Sequence, residues 1–444
     1  MQGVGFFMHD GRDFITNHKK ITGGYFMTVI LLDKVERKLT LNEVVEKYPD
    51  VPRLVILKTD VHLRGVNFTD SALSVVDPAI HQVRGKSLFG SRDGQLKPLP
   101  ASLLLKDGTL ILPDPTPLER NPYVIDLVDG RLALIDNDEL LEFVDLTEKP
   151  RYYDLYTTSG IPMKEIVTAR PQRLDLIVSG YCHFGTRGNS CRFCDINSHN
   201  KQQTKEGVGK SRYKPQDISE TIREALKEPG RFSFIHLTGG SVLAGDEVFD
   251  RELELYIEIL QAIGENFETK KFPVDVTTSA LNERQLHRLN DETGIMAYTS
   301  DLEVLNEEKF NWVCPGKADT LGYQEWRSRL IRAVDIFGRG YVGTGIVTGV
   351  ELAKPFGYTS EDEALRANLE EAEYLAGRGV TTWSSPWVVR PSSDFHDQKS
   401  PSLEYCIRFA RGLNQLRVKY GLIIDFNDYR RCGNHPDTDL SRIY

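Results

Sequence analysis

The order of apolar and polar residues divides the chain into two parts with different patterns. Between residue 29 and about residue 146, apolar residues come in short runs such as RLVILKTDVHL and YVIDLVDGRLALID, which are typical of strands. Asp-Gly pairs in KDGT (106–109) and VDGR (128–131) lie between such runs and predict two β-hairpins. We therefore expect residues 27–150 to form a small, mostly antiparallel β-rich domain, with a helical piece at LTLNEVVEKY (39–48).

Beyond residue 150, strand-like runs alternate with helical stretches, which is the rhythm of a parallel sheet. The predicted strands are 174–181, 232–240, 272–280, 295–304, 341–351 and 380–389. Amphipathic helical stretches lie between them, and another follows at 403–421. This α/β pattern predicts a partial (β/α)6 TIM-like barrel over residues 151–444, with functional residues at the carboxyl ends of its strands.

Composition and charge narrow the class of protein. Of the 444 residues, 40% are hydrophobic and 27% are charged, which is typical of a globular chain. A net charge of −9 argues against nucleic acid and anionic membranes as partners. No run approaches the roughly 18 apolar residues of a membrane helix, so we expect a cytoplasmic protein. Residues 1–26 show no clear periodicity and predict a flexible leader.

Half of the six cysteines lie in one short segment. Cys182, Cys191 and Cys194 occur in YCHFGTRGNSCRFCD, directly after the first predicted strand of the barrel. Six cysteines in so long a chain do not make a disulfide framework, so the thiols are expected to be reduced. The polar, glycine-bearing loop is a poor place to bury three thiols, and the spacing therefore indicates a metal site.

The residues alone leave three interpretations of this loop open. The thiols can be ordinary buried side chains. They can hold structural zinc, with His183, His199 or Cys432 as the fourth ligand. They can also bind an iron–sulfur cluster through three thiolates, which leaves one iron open to a small molecule.

The loop resembles the signature of the radical S-adenosylmethionine (SAM) superfamily. The usual spacing there is C-x3-C-x2-C, whereas this chain has C-x8-C-x2-C and retains the CRFC half, with Phe193 before the last cysteine. The resemblance implies that Cys182, Cys191 and Cys194 hold a [4Fe-4S] cluster whose fourth iron binds SAM.

Later segments are similar to the biotin synthase-like and HydE-like branch of that superfamily. HLTGGS resembles its GGE-type segment, which implies that the backbone of Gly239 and Gly240 contacts the amino group of SAM. Glu303 matches the acidic residue after the fourth strand, which holds the polar end of SAM. Arg327 matches the arginine aimed at the methionine carboxylate, with Arg329 as second choice.

Two further segments complete the implied cofactor site. Ser279 ends the third strand in TTSA and is expected at the ribose or the carboxylate. Gly345 and Gly349 in GIVTGVE match the segment that lies against adenine, where a missing side chain lets backbone approach a flat ring.

The resemblance implies a reaction without identifying its substrate. SAM is cleaved reductively to a 5′-deoxyadenosyl radical, which takes hydrogen from a small molecule for rearrangement, cleavage or ring formation. An electron donor such as flavodoxin or ferredoxin is implied. A sulfur-inserting enzyme with an auxiliary cluster on Cys314, Cys406 and Cys432 stays open, as does a non-catalytic iron–sulfur or zinc scaffold or sensor.

The segment 383–397, WSSPWVVRPSSDFHD, begins within the last predicted strand of the barrel. It is expected either to cap the substrate or to pack the barrel with its tryptophans.

Overall fold

A computed structural model describes residues 38–84, 98–170, 172–196, 213–424 and 435–441, together with the backbone of short strands between residues 6 and 31. The chain forms two compact units, residues 1–39 and 40–444. The strands of the first unit are β1 (Phe6–His9), β2 (Arg12–Asn17), β3 (Lys20–Ile21), β4 (Gly24–Tyr25) and β5 (Thr28–Leu31). Strands β1, β2 and β5 form one antiparallel sheet, and β3 pairs with β4. The predicted leader falls largely outside the described residues, and the predicted domain boundaries stay predictions.

The second unit begins with short elements of both kinds. They are α1 (Leu41–Lys47), α2 (Arg53–Arg64), β6 (Val66–Phe68), α3 (Asp70–Ser74), β7 (Leu103–Leu104), β8 (Leu110–Ile111), β9 (Tyr123–Val128), β10 (Arg131–Asp136), β11 (Glu139–Phe143) and β12 (Asp145–Leu146). One sheet has the order β11-β10-β9-β6 and another the order β12-β7-β8. Antiparallel pairs β7–β8 and β9–β10 confirm both predicted Asp-Gly hairpins, and α1 confirms the predicted helical piece.

Helix α2 corrects the sequence prediction, which treated RLVILKTDVHL as strand-like. Residues Leu54 to Val61 are all buried, so the helix carries apolar residues on nearly every side and shows no period of 3.6. Pro52 precedes the helix, and Gly65 ends it with a φ of 77°. Such an apolar run cannot be told from a buried strand by periodicity alone.

The rest of the second unit is built around one large sheet. Its strands are β13 (Val167–Arg170), β14 (Arg173–Ile177), β15 (Phe234–Thr238), β16 (Val274–Thr277), β17 (Ala297–Thr299), β18 (Val342–Thr348) and β19 (Val380–Pro386). They pair in chain order; β13 is antiparallel to β14, and every later pair is parallel. Each of the predicted strands after residue 150 overlaps one of β14 to β19, which confirms an α/β fold with a large, mostly parallel sheet.

Helices follow the strands of this sheet. They are α4 (Met163–Ile166), α5 (His183–Thr186), α6 (Pro215–Ala225), α7 (Asp250–Gly264), α8 (Glu283–Glu292), α9 (Glu307–Val313), α10 (Pro315–Thr320), α11 (Tyr323–Phe337), α12 (Glu361–Gly377), α13 (Leu403–Lys419) and α14 (Pro436–Leu440). Short 3-10 helices lie at Leu118–Arg120, Arg151–Asp154 and Val350–Leu352. None of the described helices is long and apolar enough to span a bilayer.

The two faces of the sheet differ in character because side chains alternate along a strand. Leu174 and Leu176 lie in the apolar core that the strands share with the helices. Asp175 lies between them in the sequence and pairs in register with His236, which pairs in turn with Asp275. His236 Nδ1 is 3.1 Å from Asp275 Oδ2, so the second face carries a row of hydrogen-bonded polar side chains.

Buried ion pairs fasten α14 to the sheet. Arg417 and Asp437 are almost fully buried, and their guanidinium and carboxylate lie 2.8 Å apart. Asp437 also accepts a hydrogen bond of 3.1 Å from the backbone N–H of Ser384 in β19. Asp439 pairs with Lys58 of α2, and both side chains are buried. Breaking such a pair leaves an uncompensated charge inside the protein, so these contacts fix where α2 and α14 lie.

His62 joins α2 to the end of β19. Its Nε2 is 3.1 Å from the carbonyl oxygen of Pro386, which can only accept, so the imidazole donates this hydrogen bond. Burial, together with the charge of Arg390, lowers the pKa of His62 to about 4. The unfolded chain therefore takes up a proton near pH 6.5 while the folded chain does not, and stability must fall as the pH falls from about 6.5 toward 4.

We predict that His62→Gln reduces this loss of stability on acidification, since the amide donates to the same carbonyl without titrating. Between about pH 7.5 and about pH 5.5 the variant should lose about 1 kcal/mol less than the wild type in urea unfolding. His435, whose pKa burial also lowers to about 4, keeps part of the dependence in both proteins. His287 is exposed, so His287→Gln is the control and should keep the wild-type slope. Equal slopes for His62→Gln and wild type would contradict the assignment.

Candidate functional site

The loop that carries the predicted ligands begins beside the end of β15. The backbone N–H of Gly240 donates to the carbonyl of Ser179 at 2.8 Å, and that of His183 donates to the carbonyl of Ser241 at 2.9 Å. These bonds continue the pairing of β14 and β15 past the ends of both strands. Cys182 is thereby held at the carboxyl edge of the large sheet, where a parallel α/β fold places functional groups.

Gly239 and Gly240 make this approach possible because they carry no side chain. A Cβ atom on Gly239 would lie 2.8 Å from the backbone nitrogen of Ser179. A Cβ atom on Gly240 would lie 2.4 Å from the carbonyl oxygen of Tyr181 and 2.7 Å from the Cα atom of Cys182. Both glycines, which the motif resemblance assigns to SAM, therefore also position the first cysteine.

The other end of the loop is fastened to the junction of α9 and α10. The backbone N–H of Arg192 donates to the carbonyl of Val313 at 2.8 Å, and that of Gly316 donates to the carbonyl of Asn189 at 3.1 Å. A Cβ atom on Gly316 would lie 2.4 Å from the same Asn189 oxygen. Cys191 lies between the two bonded residues of the loop, so its position is set from both sides.

The three predicted ligands lie together and are partly buried. Burial, with the charge of Cys191 added to it, raises the pKa of the Cys182 thiol to about 11. Burial and Cys191 raise the pKa of Cys194 well above its usual range. Backbone groups of Phe184 and Ser241 act in the opposite direction on Cys182. A bound cation reverses this balance, because it deprotonates the thiols that coordinate it.

A single metal ion and an iron–sulfur cluster need different arrangements of ligands. Among the described residues, no three His, Cys, Asp or Glu side chains converge closely enough to hold one ion. The Nδ1 atom of His183 already accepts a hydrogen bond of 3.0 Å from the N–H of Leu243. His199 and Cys432, the other ligands considered for zinc, lie outside the described residues. Three thiols, each able to bind a different iron as a thiolate, are a donor set that iron–sulfur clusters use, so the chemistry of these residues fits a cluster.

Cys314 joins this group, whereas the sequence-based alternative placed it at an auxiliary cluster with Cys406 and Cys432. It follows α9 directly, is fully buried, and its thiol is within hydrogen-bonding distance of the Cys191 thiol. Burial and this contact raise the pKa of Cys314. Cys314 is 123 positions from Cys191 in the sequence, and only the folded chain brings the two together.

Two carboxylates and one ammonium follow the end of β17. Glu303, at a φ of 68°, donates its backbone N–H to the carbonyl of Gly345 at 3.0 Å, and its Oε1 accepts from Lys317 at 2.8 Å. Asp301 Oδ1 accepts from the N–H of Gly345 at 2.7 Å. Burial and the nearby charge of Glu303 raise the pKa of Asp301 to about 6. Burial disfavours the charge on Lys317, but Glu303 and the neighbouring thiols outweigh it and raise the pKa of this lysine.

Ser279 lies at the end of β16, where a buried glutamate binds it. Its backbone N–H donates to Glu252 Oε1 at 2.7 Å, and its hydroxyl donates to Oε2 at 2.9 Å. The N–H of Val242 donates to the same Oε2 at 2.7 Å. Burial raises the pKa of Glu252 to about 7 against these hydrogen bonds. Sequence reasoning missed Glu252, which ties the loops after β15 and β16 to helix α7.

The two candidate arginines of α11 point to different surroundings. Arg327 donates to Glu371 of α12 at 2.9 Å and lies over the ring of Tyr374, with its guanidinium carbon 4.6 Å from the ring centre. Arg329 donates at 2.9 Å to the carbonyl of Ala280, the residue after Ser279. The structure therefore brings Arg329, the second choice, toward the carboxyl end of the sheet and does not bring Arg327 there.

The glycines of β18 have close neighbours within the protein. A Cβ atom on Gly343 would lie 2.1 Å from the indole of Trp383, and one on Gly345 would lie 2.7 Å from Asp301 Oδ1. Gly349 has a φ of 98° and lies against the ring of Pro401. The flat ring beside Gly343 is thus the indole of Trp383, whereas the predicted contacts of Gly345 and Gly349 with adenine stay predictions.

Aromatic side chains near the predicted cap pack against one another. Trp387 is buried, and its ring centre lies 5.8 Å from that of Phe395. Arg390 pairs with Asp114 at 3.3 Å. Phe193, predicted beside the cofactor, is partly buried against the apolar core. These contacts favour the interpretation in which Trp387 packs the protein interior over the one in which it caps a substrate.

Comparison with solved structures gave likenesses of low score. No protein-family model and no curated protein matches this chain. One similar solved structure is a radical SAM methyltransferase from Sphaerobacter thermophilus, with a TM-score of 0.39 and 16% identity over 85% of this chain and 92% of that chain. Another is the apo cobalamin-dependent S-adenosylmethionine radical enzyme OxsB, with a TM-score of 0.30 and 12% identity over 73% of this chain and 50% of that chain. At these scores and identities the likenesses do not establish a family.

We predict that Gly240→Ala displaces the start of the cysteine loop, because its methyl group would overlap the backbone of Tyr181. Urea unfolding should show a loss of about 1–3 kcal/mol, which is typical of an added methyl group in a packed site. The loop thiols should also react faster with a thiol reagent. In the control Gly377→Ala, the nearest neighbour of the new methyl group is the ring of Tyr420 at 3.6 Å, so no loss is expected. Identical behaviour of the two variants would contradict a positioning role for Gly240.

Proposed function

We propose that this chain is a radical SAM enzyme that acts on a small molecule. One observation carries the proposal: three thiols lie in a single loop after β14, the first of six consecutive parallel strands, at the carboxyl edge of the sheet. A partial (β/α)6 barrel follows naturally from strands that pair in chain order, and its interior would correspond to the polar face of the sheet.

Cys182, Cys191 and Cys194 would hold the cluster. When bound, a [4Fe-4S] cluster supplies the electron that cleaves SAM reductively and so yields a 5′-deoxyadenosyl radical. The chain itself would keep the three sulfurs apart by fastening the loop at both ends. Oriented backbone groups near the sulfur of Cys182 would stabilise its thiolate form.

The end of β17 suits the polar part of SAM. Asp301, Glu303 and Lys317 together leave an excess of negative charge when both carboxylates are ionised. SAM carries a positive sulfonium and a positive amino group, which such a site attracts, and its carboxylate needs a cation nearby. Arg329 lies close enough to the end of β16 to supply that cation. Glu303 lies after the fourth parallel strand, as the acidic residue of the biotin synthase-like and HydE-like branch does, and its position favours that branch of the superfamily.

The interior would have to exclude water and other hydrogen donors from a reactive radical. Trp383 covers Gly343 on the strand next to its own, and Trp387 packs against Phe395. The reaction would begin with hydrogen abstraction and lead to rearrangement, cleavage or ring formation. A flavodoxin or ferredoxin would deliver the electron, and the reduced thiols suit the cytoplasm.

The sulfur-inserting alternative has less support. It needs Cys314, Cys406 and Cys432 at a second cluster, but Cys314 lies beside Cys191 and Cys406 lies within α13. Cys432 is outside the described residues.

We predict that Cys191→Ala abolishes iron binding. Protein reconstituted without oxygen should hold about four irons and four sulfides per chain, and dithionite with SAM should then yield 5′-deoxyadenosine. The variant should show neither property. Cys406→Ala, which removes a buried thiol of α13, serves as the control and should keep both. Unchanged iron in Cys191→Ala would reject the ligand assignment, and zinc in the wild type would reject the proposed function.

We predict that Arg329→Ala weakens SAM binding, whereas Arg327→Ala does not. Loss of a charged hydrogen bond to the methionine carboxylate should raise the dissociation constant about tenfold or more. Calorimetric titration of the reconstituted protein measures this constant, and iron content should be unchanged in both variants. A larger effect of Arg327→Ala would restore the assignment that sequence comparison favoured.

A further inference from the structure

Two backbone hydrogen bonds hold the loop against the junction of α9 and α10. One joins Arg192 to Val313 at 2.8 Å, and the other joins Asn189 to Gly316 at 3.1 Å. Cys191 lies between the bonded residues on one side, and Cys314 lies between those on the other. The backbone arrangement therefore brings Cys191 and Cys314 next to each other, and their thiols form a side-chain hydrogen bond.

Cys314 differs from the three loop cysteines in its surroundings. It is fully buried, whereas Cys182, Cys191 and Cys194 are partly exposed. Its backbone N–H and carbonyl both take part in helical hydrogen bonds, with Phe310 at 2.8 Å and Ala318 at 3.0 Å, so the position of its Cα atom is fixed. A thiolate that binds iron carries no proton, so a hydrogen bond between the two sulfurs must be donated by Cys314.

We propose that Cys314 is a positioning residue that donates an S–H hydrogen bond to the iron-bound sulfur of Cys191 and thereby raises the reduction potential of the cluster. This inference rests on the proposed function. Reduction adds negative charge that spreads onto the sulfur ligands, and a donor to one of them stabilises the reduced form more than the oxidised form. A higher potential makes the first electron easier to deliver.

The contact also adjoins the charged groups after β17. Lys317 lies one turn beyond Cys314 in α10, and its Nζ donates to Glu303 at 2.8 Å and to the carbonyl of Asp301 at 2.6 Å. Cys314, directly before this short helix, would thus supply a donor to the cluster ligand, and Lys317 within it an ammonium group to the proposed SAM site. The junction of α9 and α10 therefore connects the proposed cluster ligands with the proposed SAM site.

The test is a redox titration of the reconstituted protein, followed by electron paramagnetic resonance without SAM. Cys314→Ala should keep the full iron content and show a lower midpoint potential with altered g values. Cys314→Ser should recover most of the potential, since a hydroxyl donates as well. Cys406→Ala is the matched control, because it removes a buried thiol elsewhere and should leave the potential unchanged.

Each outcome separates the two proposals. A wild-type potential in Cys314→Ala would overturn the hydrogen bond while the proposed function stands. Loss of iron in Cys314→Ala would also overturn it, since Cys314 would then be a ligand. A wild type without a cluster would overturn the proposed function and this inference together, and iron analysis identifies that case first.

The contact between the sulfurs can also be measured without a cluster. Diamide takes one hydrogen from each of two adjacent thiols, forming a disulfide while it is itself reduced to the hydrazine. In cluster-free protein this should yield a peptide cross-linked between Cys191 and Cys314 in a non-reducing digest, and Cys314→Ala should not give it. Absence of the cross-link in the wild type would overturn the contact on which the inference rests.

Discussion

The site depends on the close backbone contact of the cysteine loop with two different parts of the protein. The loop has little regular structure beyond the four residues of α5, so it cannot place its thiols by itself. Hydrogen bonds to the end of β15 fix its beginning, and hydrogen bonds to the junction of α9 and α10 fix its end. The eight residues between Cys182 and Cys191 are the length of chain that connects these two attachments. The spacing of these two cysteines is therefore a consequence of where the loop is held.

Much of the fold could be predicted from the sequence, because the pattern of apolar residues reports which side of an element is buried. The parallel strands and the Asp-Gly hairpins could be predicted in this way. Helix α2 was not, because burial on all sides removes the helical period. Strand β13 was missed as well: it has only four residues and its partner runs antiparallel to it, unlike the rest of the sheet.

The site could be predicted only in part, and for a related reason. Cys182, Cys191 and Cys194 stand out because they are close in the sequence, whereas Cys314, Glu252 and Asp301 reach the site only through the fold. The choice between Arg327 and Arg329 shows how sensitive such reasoning is to register. Two residues along a helix correspond to a rotation of about 200°, which takes a side chain from one neighbour to quite another. In α11 that rotation separates a partner in α12 from a carbonyl at the end of β16.

The buried pair of Lys58 and Asp439 joins residues that are 381 positions apart in the sequence. When the chain is synthesised, the carboxylate that neutralises this lysine leaves the ribosome after every strand of the large sheet. Until then the ammonium group has to stay hydrated, because a buried charge without a partner is strongly unfavourable. Helix α2 therefore cannot take its place against α13 and α14 in a nascent chain. The final buried contacts of one of the first helices to be made therefore wait for one of the last segments of the chain.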